Sequence, residues 1–418
     1  MVTYSPRVMD GEIQDALGSS GAVLIEGPKS CGKTATALQI AGQVVRLDLD
    51  RAVRAAIDVN PALVLRGTPP ILLDEWQLAP EIWNYVRHEV DDRSPAKGQF
   101  ILTGSSVPDD EITRHSGAGR FAIRQMRPMS LYESSHSTGA ISLSALLRGE
   151  EQECPDPELS VQDVVERIAV GGWPGWQHLS VQQATRSMRD YLTLIRDVDI
   201  SRIGRTRRDP LRVGRVIESI ARNVATEAGI TKIAADAGGA EGPIGRDTVA
   251  EYLDALGRLR IVEDQPAWST HLRSRVAVRT SPKRHFVDPA LAAAALQASP
   301  QRLMDDLNWT GFLFESLAVR DLRIYAQPLD GTVLHYRDNK GLEVDAVVQL
   351  ADGRWGAFEM KMGQRRIDDA ASSLLAFEQK VDTAKIGRPA MLGVITATGY
   401  GYKRPDGVHV IPIGALGP

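Results

Sequence analysis

The stretch "LIEGPKSCGKTATALQI" runs from Leu24 to Ile40. It starts apolar, passes through two glycines, a lysine and a threonine, and then takes on helical spacing. Gly27, Gly32, Lys33 and Thr34 fit the pattern G-x-x-x-x-G-K-[ST]. "AVLIEG" ahead of it reads as a buried parallel strand. Glycines let the backbone curl until its amides point at one anionic group, and a helix opening near Lys33 adds its positive end. The expected cradle is Gly27, Pro28, Lys29, Ser30, Cys31, Gly32, Lys33, Thr34 and Ala35. In it Lys33 reaches the outer phosphates of a nucleoside triphosphate, and the Thr34 hydroxyl binds Mg²⁺. ATP and Mg²⁺ are the cofactors this pattern implies.

A phosphate loop of this kind needs an acidic strand end beside it. "PPILLDEWQLAP" supplies one in Asp74 and Glu75. Asp74 is placed to hold the Mg²⁺ shell, and Glu75 to orient or deprotonate the attacking water. A third apolar run, "GQFILTGSS", brings Thr103, Ser105 and Ser106 to a strand end. One reading makes a polar group there, Ser105 above all, a sensor of the terminal phosphate; the other makes it a turn after a core strand. In "TRHSGAGRFAIRQMRPMSLYES", Arg114 and Arg120 are candidates to stabilise phosphate charge, in cis or from a neighbouring subunit. A plain surface arginine is the alternative for either.

"YSPRVMD", "GPKSCGKTATAL", "ILLDEWQ", "ILTGSS", "GAGRF…RPMSLYE" and "GGWPGW" follow one another in the order seen in a large group of prokaryotic AAA-type ATPases. The chain resembles that group over nearly its whole length. The resemblance implies a parallel sheet with helices on both faces at the N-terminus. It also implies a C-terminal domain of uncharacterised role that looks like the PD-(D/E)xK nuclease fold, whose nuclease residues members can lose.

Composition narrows the rest. The 418 residues exceed what one hydrophobic core usually serves. A net charge of −4 confines nucleic-acid binding to local patches. Cys31 and Cys154 are the only cysteines, which excludes a disulfide framework or a cysteine-ligated metal and agrees with a cytoplasmic setting. No apolar run is long enough to span a bilayer, and the N-terminus lacks a secretory pattern, so no membrane role is expected.

"EEQECPDPELSVQD" reads as a linker. Beyond it, Met188, Tyr191, Leu192, Ile195 and Val198 share a helix face, and the tryptophans of "GGWPGW" are expected to pack this region onto the ATPase core. "ITKIAADAGGAEGPIGRDTVAEYLDALGRLRIVEDQPAW" predicts a winged helix-turn-helix. Thr231 caps a short helix, Val249, Tyr252, Leu253 and Leu256 face inward on the next, and "RIVED" opens the wing. Arg246, Asp247 and Thr248 then lead the recognition helix, with Arg205, Arg207, Arg208, Arg273, Arg275, Arg279, Lys283 and Arg284 available to phosphates. The competing reading is a rigid spacer or protein contact, because Asp247, Glu251 and Asp254 oppose phosphate.

In "GLEVDAVVQLADGRWGAFEMKMG" two strands flank a turn. A two-residue loop would set Asp345 opposite Met360. A three-residue loop, Ala351-Asp352-Gly353, sets it opposite Glu359, and glycine in last position favours that case. Asp345, Glu359 and Lys361 then share a face, and the two carboxylates form a candidate Mg²⁺ or Mn²⁺ site, with Lys361 beside the reacting phosphodiester. Glu315, on an amphipathic helix from about Asn308, is the candidate remaining acid. This is the D…ExK pattern of the PD-(D/E)xK nucleases. The resemblance to those nucleases implies a polar helper on the following helix, where Gln379 lies.

The sequence therefore predicts an α/β protein in three parts: an AAA-type P-loop ATPase domain over 1–155, a helical and winged-helix region over 156–300, and a restriction-endonuclease-like domain over 301–418. ATP hydrolysis coupled to nucleic-acid binding (DNA favoured) or metal-dependent cleavage is one functional expectation. An ATP-controlled switch with an inactive nuclease-like domain is the other. An arginine acting in trans would require a homo-oligomer.

Overall fold

The computed structural model describes residues 4–104, 116–203, 208–239, 242–269 and 281–418. The chain forms two compact units. The first comprises Met1–Pro128, Val198–Arg207 and Ala255–Ile261; the second comprises Met129–Asp197, Arg208–Asp254 and Val262–Pro418.

The first unit is built on a parallel sheet. Its strands are β1 (Ala22–Glu26), β2 (Gln43–Arg46), β3 (Ile71–Asp74), β4 (Phe100–Gly104) and β5 (Phe121–Gln125). Their order is β2-β3-β4-β1-β5, and every pairing is parallel. β1 is apolar from Ala22 to Ile25 because both its faces are covered, as a central parallel strand requires. Ala22 and Leu24 enter a core with Ile57, Ile82, Trp83 and Val86. Val23 and Ile25, the alternate residues, enter another with Met9, Ile13, Leu17 and Ala37. Helices α1 (Met9–Ser19) and α2 (Lys33–Ala37) thus cover one face, and α3 (Arg51–Val59) and α4 (Ile82–Asp92) the other. α2 is shorter than the helical spacing to Ile40 predicts: it spans five residues and then breaks into turns before Gly42.

The second unit contains a mixed sheet of β9 (Gly331–Arg337), β10 (Glu343–Leu350), β11 (Trp355–Lys361), β12 (Met391–Thr396), β13 (Tyr402–Lys403) and β14 (His409–Pro412). The order is β13-β14-β12-β11-β10-β9. β9, β10 and β11 pair antiparallel, and β11, β12 and β14 pair parallel. The crossover helix Ile367–Lys380 buries Ile367, Ala370, Leu374 and Phe377 against Trp355, Ala357 and Val394. The long helix Leu307–Ala326 packs on β9, β10 and β11. It is not the amphipathic surface helix its sequence suggests, because from Leu313 to its end every residue is buried. Its charges survive there in pairs: Arg320 binds Asp288 and Asp321, each at 2.7 Å.

Residues 129–155, grouped with the ATPase part by sequence, belong to this second unit. β6 (Ile141–Ser142) pairs with β15 (Leu416–Gly417), and Cys154 bridges Gly401. Trp173 and Trp176 stack on each other and meet Tyr191 edge to face, so the "GGWPGW" rings pack within the second unit.

Three helices and a strand pair form over and beside the stretch read as a winged helix. The helices are Pro210–Arg222, Ile230–Gly238 and Arg246–Arg258, followed by β7 (Val262–Gln265) and β8 (Lys283–Phe286). Gly229, not Thr231, occupies the N-cap of the second helix. The described β7 and β8 strands are bonded to the rest of the second unit. Gln265 donates to the Leu334 and Asp345 carbonyls at 3.0 Å each, and His285 contacts Ser316 Oγ at 2.7 Å and Gln265 Oε1 at 3.0 Å. All four β8 side chains are buried.

Among the described residues no helix is long and apolar enough to cross a membrane.

Candidate functional site

The segment Gly27–Gly32 loops out of β1 at the C-terminal edge of the first sheet and returns into α2. Two glycines are dictated by geometry. A Cβ on Gly27 would lie 2.2 Å from the Met126 carbonyl, and Gly32 has a φ of 111°, in the left-handed region. Arg7 braces the loop from behind, donating to the Cys31 carbonyl at 2.9 Å and the Arg127 carbonyl at 2.8 Å. Cys31 is fully buried, its thiol 3.8 Å from the Met126 carbonyl. Pro28 is buried, whereas Ser30 and Ala35 are exposed.

Lys33 is buried, and its ammonium lies back across the loop, donating to the Gly27 and Pro28 carbonyls at 2.9 and 2.7 Å. Thr34 Oγ1 donates to Asp74 Oδ1 at 2.8 Å, and Thr103 Oγ1 donates to the same oxygen at 2.6 Å. Register explains this convergence: Thr103 pairs with Ile25 on one side and Asp74 on the other, so β4 carries a hydroxyl into the row between β1 and β3. A hydroxyl and a carboxylate at the loop's mouth are a donor set that fits Mg²⁺. Glu75, half-buried, follows with a φ of 56° and accepts a hydrogen bond from Gln77. Two further pairs hold the loop's flanks: Lys29 Nζ lies 2.5 Å from Asp199, and Arg260 binds Glu26.

Arg120 is not among the residues gathered here. It immediately precedes β5, whose first residue, Phe121, pairs with Ala22 at the start of β1. Because β1 and β5 are parallel, Arg120 lies at the sheet edge opposite the loop, where its guanidinium clamps Asp91 at 2.9 and 3.0 Å. A cis role at the phosphates is thereby corrected. Ser105, Ser106 and Arg114 lie outside the described residues, as do Arg205, Arg207, Arg273, Arg275 and Arg279.

A second charged cluster occupies the C-terminal sheet. The loop between β10 and β11 has three residues: the Leu350 amide donates to the Arg354 carbonyl at 2.8 Å across it, and Gly353 has a φ of 92°. Ala346 pairs with Phe358, which sets Asp345 across from Glu359. Asp345 accepts the Met360 amide at 2.8 Å, and Lys361 reaches Glu359 at 2.6 Å and Asp345 at 3.5 Å. Glu315, Asp345 and Glu359 are all buried.

Lys283 of β8 enters the same cluster. Its ammonium lies 2.7 Å from Glu315, 2.9 Å from Glu343 and 3.6 Å from Asp345. Burial works against its charge, yet the three carboxylates outweigh that and hold its pKa above the ordinary value. Burial pushes Glu315 up to about 8 despite Lys283. Burial and then the neighbouring charge of Asp345 push Glu359 up to about 8. Burial would raise Asp345 too, but Lys283, Lys361 and the Met360 amide hold it below its ordinary value.

These residues do not fit a divalent ion. Among the described residues no group of three or more His, Cys, Asp or Glu is arranged to hold a metal. The place the carboxylates surround is taken by an ammonium group. The expectation of Asp345 and Glu359 as metal ligands is corrected because Lys283 and Lys361 already hold their oxygens, and Lys283 is thereby corrected as a phosphate contact. Arg284, also buried, instead binds Asp264 at 3.0 Å, and buried Arg208 lies 3.3 Å from Glu251. Gln379 is exposed in the last turn of the crossover helix, about 18 Å along the axis from the end that follows β11. Sequence reasoning missed Glu343 and the true place of Lys283. Glu343 was discoverable, two residues from Asp345 on one strand face.

Residues 19–135 match an AAA domain, residues 161–302 a domain of unknown function (DUF8612), and residues 310–416 a domain of unknown function (DUF4143). No curated protein matches the sequence. Among solved structures, the Walker-type ATPase paby2304 of Pyrococcus abyssi is similar at 13% identity, over 69% of this chain and 94% of that one, with a TM-score of 0.41. A RuvB variant of Thermotoga maritima is similar at 16% identity, over 62% of this chain and 89% of that one, with a TM-score of 0.26. Neither likeness carries weight at these scores. The AAA match and the parallel sheet with its phosphate loop identify the N-terminal part as P-loop ATPase-like.

Proposed function

We propose that the chain binds Mg·ATP at the Gly27–Thr34 loop and hydrolyses it. The observation that carries this reading is the meeting of Thr34, Thr103 and Asp74 on one oxygen at the loop's mouth. Lys33 leaves the Gly27 and Pro28 carbonyls for the outer phosphates, a stronger charged acceptor. Thr34 and Asp74 hold the Mg²⁺ that neutralises phosphate charge, and Glu75 orients the attacking water. Steady-state phosphate release tests this directly: Lys33→Ala should abolish turnover, and an unchanged rate would end the reading. Arg120 enters this chemistry only from a neighbouring subunit, if a homo-oligomer forms.

For the remainder of the chain, two readings were open. The helix–three strands–helix–strand order of Leu307–Thr396 supports a nuclease-like fold. The lysine-filled carboxylates favour the second reading, an ATP-controlled switch whose C-terminal unit binds nucleic acid or a protein without cutting. Exposed Arg246 and Asp247 at the start of their helix remain the candidate contact. Incubation with DNA and RNA substrates in Mg²⁺ or Mn²⁺, with and without ATP, separates the two. Cleavage that Glu359→Ala abolishes would restore the nuclease reading.

A further inference from the structure

We propose that Lys283 is a resident cation that keeps divalent metal ions out of the Glu315–Glu343–Asp345 pocket. This rests on reading the C-terminal unit as a nuclease-like fold that does not cut. Three observations carry it. The ammonium lies 2.7, 2.9 and 3.6 Å from three separate carboxylates, the position a shared cation takes. The lysine side chain is 2% exposed, so it is not a surface group that swings away into solvent. Its backbone is pinned, because β8 pairs with β7 from Val262↔Phe286 to Gln265↔Lys283, and Gln265 is bonded to the Asp345 carbonyl.

An ammonium and a divalent ion make different demands on the same oxygens. N–H···O contacts near 2.7–2.9 Å set a wider spacing than the roughly 2.0–2.6 Å of Mg²⁺ or Ca²⁺ to oxygen. A metal entering beside Lys283 would also put like charges within a few ångström in a buried site, which is strongly unfavourable. Metal binding therefore requires Lys283 to leave. The lysine comes from β8, which lies beside the strand that the sequence marks as the start of a wing. The pocket is therefore closed by a residue that is distant in sequence from its carboxylates.

Paramagnetic resonance of added Mn²⁺ tests this on the full chain, with the bound signal counted as the part lost on Asp345→Ala. The wild type should show no Asp345-dependent Mn²⁺ at millimolar metal. Lys283→Met, close in length and uncharged, should gain one such ion with at least tenfold higher affinity. Lys283→Met/Glu343→Gln, which relieves one carboxylate, replaces the single variant if that does not fold. Asp345-dependent Mn²⁺ in the wild type would overturn the proposal and revive metal-dependent cleavage. Folded variants without Lys283 that gain no Mn²⁺ would overturn it too, as removing that ammonium would then open no cation site. Phosphate release by the same preparations reports on the ATPase reading separately.

Discussion

Lys33 and Lys283 are both buried lysines held by oxygens, and their partners differ in one respect. Lys33 rests on two peptide carbonyls, which are neutral. Lys283 rests on three carboxyl groups, and Asp345 among them is held ionised. A phosphate competes well against a carbonyl for an ammonium, because a charge-assisted hydrogen bond is roughly twice as strong as a neutral one. It competes poorly against carboxylates already in place, and it would be repelled by them. The first lysine is thus held in reserve for an anionic ligand, and the second is committed. Burial and residue type alone do not separate a binding lysine from a structural one; the charge of what holds it does.

The largest effects should fall on these two residues. Lys33→Ala should lower ATP turnover by about 10²–10³-fold, since it removes a positioned charge from the transition state. Its melting temperature should barely change, because only two carbonyls lose a donor, and calorimetry beside the turnover assay checks both. Lys283→Met should do the reverse. It should destabilise the fold by about 3–5 kcal/mol by stranding buried carboxylates, with ATP turnover retained in the folded fraction. Chemical denaturation measures that loss. A stability cost in the first variant, or none in the second, would erase the contrast.

A smaller effect concerns pH. Glu315 faces Lys283, Glu343 and Asp345, and its pKa rises from an ordinary 4.5 to about 8. The folded state then holds a proton that the unfolded chain has lost, so this group's contribution to stability falls as pH rises from about 5 to 8. The slope is on the order of 1 kcal/mol per pH unit. Glu315→Gln should flatten that part of the profile, as read from denaturation midpoints across the range. A wild-type profile that rises over this window as much as the variant's would count against the protonated carboxyl. The smallest effect is expected at Arg120: Arg120→Ala should leave nucleotide affinity unchanged in dilute protein, because the guanidinium is bound to Asp91 at the far sheet edge.

The legible parts of the molecule are those where short-range chemistry decides. The phosphate loop follows from glycines needed at Gly27 and Gly32, and Asp74 follows from an apolar strand that ends in acid. The Asp345–Glu359 register follows from a three-residue loop with glycine last. What stayed hidden depends on non-local pairing. Arg120 looks like a loop arginine near the site until β5 is known to run parallel to β1, which puts the residue before it at the wrong edge. Lys283 and Arg284 of "KRHF" read as basic residues available to phosphates. Only the docking of β8 beside the helix Leu307–Ala326 and β10 turns Lys283 inward. The pairing of β6 with β15, equally non-local, ties residues 129–155 to the C-terminal strand.

Equilibrium titration of ATP into the full chain, in Mg²⁺ and in EDTA, puts the central claim to its most direct test. Wild-type protein should bind ATP more tightly with Mg²⁺ than without. Asp74→Ala should lose that difference, and Lys33→Ala should bind weakly in both conditions. Equal affinity across all three proteins would contradict a nucleotide site at this loop.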